Sequence, residues 1–185
     1  MSNKQTTIKR SISLDGVGIH TGNKVKITFK PADADTGYVF KRVDLTDLPE
    51  VEALSKYVVN TQRGTTLEKD GVKLKTIEHV LAALVGLEID NVHIEINGEE
   101  PPILDGSSKF FVEALESAEI KTLDKIRSEY IVKDVISYVD DETGSEITLI
   151  PNDKYQIITM VDYDTKILGT QNASLDDLSE FKENF

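Results

Sequence analysis

The chain has 185 residues, 39% of them hydrophobic, and its 21 Lys and Arg against 33 Asp and Glu leave a net charge of −12. That length buries one good core or two small ones, and without a long basic run no nucleic-acid partner is expected. There is no cysteine, which excludes disulfides and thiolate metal sites. No signal-like N-terminus and no apolar span of about 20 residues is present, so a cytoplasmic protein without a transmembrane segment is expected.

In chain order, residues 6–14, 24–30 and 38–44 alternate apolar and polar side chains like paired strands. Between the first two lies D-G-V-G-I-H-T-G, residues 15–22, with three glycines around His20. No Lys-Ser/Thr pair or helix follows, so this is not a phosphate-binding loop. A hairpin connection carrying a surface histidine fits it equally well. Residues 51–67 hold two more short strand-like pieces ending in N-T-Q-R-G-T-T-L, and Lys69, Asp70 and Gly71 form a turn.

Next comes T-I-E-H-V-L-A-A-L-V-G-L, residues 76–87, whose spacing predicts a helix. Ile77, Val80, Leu81, Leu84, Val85 and Leu87 fall on one broad apolar face. The opposite face carries Glu78, His79, Ala82, Ala83 and Gly86, small residues that suit a second covering layer. Thr76 is expected to cap this helix, placing Glu78 and His79 in the first turn, where the dipole favours a carboxylate. A neutral imidazole there is a metal ligand. Equally, Glu78 serves as a dipole partner and His79 as a satisfied interface histidine. The pair matches no self-contained zinc motif, because Ala83 stands where H-E-x-x-H needs its second histidine and Lys75 where the inverted form needs one. This helix supplies one metal ligand and one base at most.

Residues 91–97, N-V-H-I-E-I-N, alternate cleanly, with Val92, Ile94 and Ile96 towards a core and His93 and Glu95 on the solvent side. Pro101 and Pro102 precede a turn at Asp105 and Gly106. Ser107 is expected to cap a second helix over 108–118, with Phe110, Phe111, Ala114, Leu115 and Ala118 inward. These elements give a first domain over residues 1–120. Residues 121–128 read as a polar linker. A second unit, 129–185, shows three antiparallel-looking strands, then Ser174 and Asp177 as a capping box before a helical stripe of Leu175, Leu178, Phe181 and Phe185. No terminator follows and three strands with one helix make a poor core, so the chain is expected to continue in a longer protein, its second domain incomplete.

Taken together, G-V-G-I-H-T-G at 16–22, T-I-E-H-V-L-A-A-L at 76–84 and I-D-N-V-H-I-E-I-N with P-P-I-L-D-G-S up to residue 107 are specific. In this order and spacing they closely resemble the N-terminal part of the zinc-dependent UDP-3-O-acyl-N-acetylglucosamine deacetylases, which commit Gram-negative bacteria to lipid A synthesis. The resemblance implies an α+β fold of two similar domains, each a two-layer sandwich of mainly antiparallel sheet with two helices on one face, ribosomal protein S5 domain 2-like. It implies zinc as cofactor, UDP-3-O-acyl-N-acetylglucosamine as substrate, His79 as a zinc ligand and Glu78 as the general base. His20 would lie near the site, with Gln62, Arg63, Gly64 and Thr65 bordering the entrance for the acyl chain.

The family's other zinc ligands, a His-x-x-x-Asp pair, and the histidine acting as acid have no counterpart in this sequence. The resemblance therefore implies a piece that is inactive alone and holds zinc poorly, and the incomplete second unit is expected to be mobile, differently packed, or completed by self-association with another copy of the chain. Some family members are also fused to a hydroxyacyl-carrier dehydratase. The competing reading is a non-catalytic module on the same fold that binds a nucleotide-sugar or a protein. The adjacent Glu78 and His79 favour the enzyme.

Overall fold

Period-two alternation builds most of this structure. The computed structural model describes residues 3–181. They fall into two compact units with the boundary between Arg127 and Ser128.

The first unit runs β1 (Lys4–Ile8), β2 (Ile12–Val17), β3 (Lys24–Pro31), β4 (Tyr38–Arg42), β5 (Glu50–Glu52), β6 (Val58–Asn60), β7 (Thr66–Lys69), β8 (Val72–Leu74), α1 (Glu78–Gly86), β9 (Val92–Ile96), α2 (Lys109–Ser117) and β10 (Ile120–Ile126). Five strands form the main sheet in the order β2-β3-β9-β4-β5. Every pair in it is antiparallel except β4 with β9. As the alternation requires, Val25, Ile27 and Phe29 of β3 and Val92, Ile94 and Ile96 of β9 are buried. His93 is half-buried on the other face, where Glu95 pairs with Lys30 at 2.7 Å. β6, β7 and β8 make a small separate sheet, closed by the turn at Asp70 and Gly71, both with positive φ. The unit is thus α+β, mostly antiparallel, with two helices. Those helices pack on each other, and Phe111 of α2 meets Phe29 of β3 edge-on, ring centres 6.3 Å apart.

Several expectations need correction. Residues 6–14 are two strands rather than one, broken at Lys9, and β1 pairs with β10 instead of joining the main sheet. The supposed linker 121–128 is therefore largely strand, with Thr6 opposite Thr122 and Ile8 opposite Ile120. Backbone pairing holds β10, whose side chains are nearly all exposed, so its composition is that of a loop.

Thr76 does not cap α1. It lies at φ +54, and the cap position is Ile77, which has no side chain to accept an N–H. The buried side of α1 is Val80, Ala83, Leu84 and Gly86, whereas Leu81 and Ala82 are half-buried and Val85 is exposed. Ala83 and Gly86 therefore belong to this unit's own core. On α2, Phe110 is exposed and Val112 buried, the reverse of the predicted stripe. Ser107 is not the cap of α2 either: Ser108 holds that position without a side-chain cap bond, and Ser107 stands one residue earlier, its hydroxyl accepting the Lys109 N–H at 3.1 Å.

The second unit holds β11 (Ile136–Val139) paired with β12 (Glu146–Leu149), and β13 (Ile157–Asp162) paired with β14 (Thr170–Leu175), so there are four strands rather than three. Ser174 sits inside β14 and is not a cap. Asp177 caps instead a short 3-10 turn, Leu178–Glu180, accepting the Ser179 N–H at 3.0 Å. Phe185 lies outside the described residues.

Candidate active site

Glu78 and His79 open α1, Glu78 at its positive end. Glu78 Oε2 accepts the Thr65 N–H at 2.8 Å, which fixes the carboxylate, and Oε1 lies 3.9 Å from His79 Nε2. That separation is too long for a hydrogen bond, so the two groups do not satisfy each other and both remain available to a third group. Both side chains are half-buried. The backbone of His79 is anchored separately, its carbonyl accepting from the Ser108 hydroxyl at 3.0 Å.

The loop before β7 reaches the pair through its glycine. Gly64 has φ +148, and a Cβ there would sit 3.3 Å from Glu78 Oε1 and 3.4 Å from the Thr76 hydroxyl. Gly64 and Thr65 are thus brought to Glu78. Gln62 and Arg63 are exposed in the same loop, Gln62 donating its N–H to Asn60 at 2.7 Å and Arg63 at φ +57. His20 is exposed in the loop after β2, and its backbone N–H donates to the Glu100 carboxylate at 3.1 and 3.2 Å.

Glu100 was not foreseen. Glu99 and Glu100 read alike in the sequence, and acidic pairs usually lie on a solvated face. Glu99 pairs with Lys75 at 2.9 Å, but Glu100 is 2% exposed. It accepts from the N–H groups of His20 and Thr21, from the Thr21 hydroxyl at 3.0 Å and from the Thr76 hydroxyl at 2.9 Å. Burial pushes this carboxyl up, but the bonds from Thr21, His20 and Thr76 outweigh it and hold it below its ordinary value. Only Pro101 and Pro102, which stiffen the segment after it, hinted at a fixed position.

For a metal, the donor set decides. Among the described residues no three His, Cys, Asp or Glu side chains are grouped to hold an ion. The imidazole of His79 fits one ligand position, and a complete site needs donors from elsewhere.

Residues 5–185 match the family model of the UDP-3-O-acyl N-acetylglycosamine deacetylases, LpxC. The chain belongs to the LpxC family. Similar relatives include the bifunctional enzyme LpxC/FabZ of Chlorobaculum tepidum, 47% identical over 98% of this chain and 39% of that protein. The bifunctional enzyme LpxC/FabZ of Bacteroides thetaiotaomicron is 42% identical over 97% of this chain and 39% of its own length. The UDP-3-O-acyl-N-acetylglucosamine deacetylase of Geotalea uraniireducens is 37% identical over 98% of the chain and 59% of its own. The chain thus spans between about two fifths and three fifths of these LpxC relatives. Among its described residues no helix is long and apolar enough to cross a membrane.

Proposed function

We propose that the full-length protein hydrolyses the N-acetyl group of UDP-3-O-acyl-N-acetylglucosamine, a step of lipid A biosynthesis in the cytoplasm. The name of the family and that of the Geotalea uraniireducens relative support the substrate, and one geometric observation carries the chemistry. Glu78 and His79 stand side by side at the mouth of α1, one carboxylate oxygen bound by Thr65 N–H and the other turned to the imidazole.

In this reading His79 holds zinc through one coordination position, with the other ligands supplied from beyond the described residues. Zinc, when bound, supplies Lewis acidity to the amide carbonyl and the attacking water. Glu78 Oε1 takes a proton from that water as its oxygen adds to the acetamide carbon. The bond from Thr65 N–H to Oε2 keeps Oε1 aimed. Collapse of the tetrahedral adduct breaks the C–N bond, releasing acetate and, once the nitrogen is protonated, the free amine. Gln62, Arg63, Gly64 and Thr65 lie where a substrate approaching Glu78 passes, and His20 belongs to a loop tied to the same region through Glu100. The first unit is read as the ribosomal protein S5 domain 2-like plan.

The test is acetate release from UDP-3-O-acyl-N-acetylglucosamine by the full-length protein, before and after chelation and with zinc restored. Turnover lost on chelation and regained with zinc supports the reading. Tight binding of the nucleotide-sugar without turnover in the zinc-loaded protein overturns it in favour of a binding module.

A further inference from the structure

We propose that Glu100 is a positioning residue for the Glu78–His79 pair, acting through Thr76. The inference rests on the reading of that pair as the catalytic one. A carboxylate that is 2% exposed, whose hydrogen-bond partners are the backbone and hydroxyl groups of His20, Thr21 and Thr76, is an expensive way to fill space. No ion pair reaches it among the described residues, so its charge is balanced by oriented neutral donors alone. Such an arrangement persists where the acceptor must hold several donors in one geometry.

Thr76 is the donor that matters for the site. A β-branched residue at φ +54 is a backbone outlier, and it stands two positions before Glu78. Its hydroxyl bond to Glu100 at 2.9 Å holds it there. That conformation sets the direction in which α1 starts, and hence where Glu78 and His79 point. The carboxylate itself precedes a closely packed segment. Pro102 packs so closely on Gly16 that a Cβ there would lie 2.7 Å from the proline Cβ, and Ile103 N–H donates to the Val17 carbonyl at 3.0 Å. A Cβ on Gly18 would overlap the Glu100 carboxylate, so glycine is needed for the His20 loop to close over it. One buried acid thus fixes two segments around the site.

The experiment uses Thr76→Val, which keeps the branched shape and removes the hydroxyl, Thr76→Ser, which keeps the hydroxyl, and Glu100→Gln, all in the full-length protein. At a temperature where circular dichroism shows each variant fully folded, Thr76→Val is expected to lower kcat about tenfold or more, with KM within about threefold. Thr76→Ser retains most of the rate. The Glu100→Gln, Thr76→Val double variant is no slower than the slower single one, because both cut the same link. A Thr76→Val enzyme with wild-type kcat overturns the proposal whether or not Glu100→Gln folds. If the wild-type protein has no deacetylase activity, the proposed function fails by itself. The link is then read by NMR of this chain, where unchanged His79 ring and Thr65 amide signals in Thr76→Val overturn it.

Discussion

At the scale of single residues, Glu78 and His79 are adjacent, and the roles proposed for them are separable by experiment. Glu78→Ala in the full-length protein is expected to lower kcat by about 10² to 10⁴ while zinc content stays near that of the wild type, because a general base acts only as the transition state forms. His79→Ala is expected to lose zinc on gel filtration followed by metal analysis. Near-normal turnover in Glu78→Ala ends the general-base assignment. Glu100 carries a second prediction. Its folded carboxyl titrates below its ordinary value. Its contribution to stability is therefore complete above that ordinary value and disappears as pH falls through the lower, folded one. Urea midpoints taken at pH 7 and in the acid range should fall less in Glu100→Gln than in the wild type. An equal fall in both would mean the carboxylate is not linked to folding.

At the scale of elements, α1 shows why a pattern fixes a helix but not its orientation. From Val80 to Leu87 the stretch has no charged residue, so many rotations about its axis bury apolar surface equally well. The choice is made by tertiary packing, which buries Val80, Ala83 and Leu84 and leaves Val85 39% exposed. Leu84→Ala in this chain should therefore cost about 2–5 kcal/mol by chemical denaturation, and Val85→Ala no more than about 0.5 kcal/mol. Similar costs at both positions would mean that α1 is rotated. β10 teaches the complementary lesson. Its strand character comes from pairing with β1 across more than a hundred residues, and its own alternation buries almost nothing.

At the scale of the molecule, the two units differ in how much they bury. The first has Ile27, Phe29, Phe40, Leu84 and Ile94 fully enclosed, whereas the second leaves Ile158 73% and Ile167 94% exposed. Hydrogen exchange should find slow amides in β3 and β9 and fast ones throughout β11 to β14. Equal protection in both units would contradict this, and protection of β11 to β14 that grows with protein concentration would report self-association. What the sequence determined alone was local: the strands whose one face meets a core, as in Val92, Ile94 and Ile96, the Asp70–Gly71 turn, and the adjacency of Glu78 and His79. Three motifs in order also sufficed to indicate the family. Only the tertiary structure decided which side of α1 is inner, that residues 120–126 are a strand, and that Glu100 rather than Glu99 is buried against Thr76. Each of those depends on partners distant in the chain, and hydrophobic periodicity registers only the side chains within a few turns of one another.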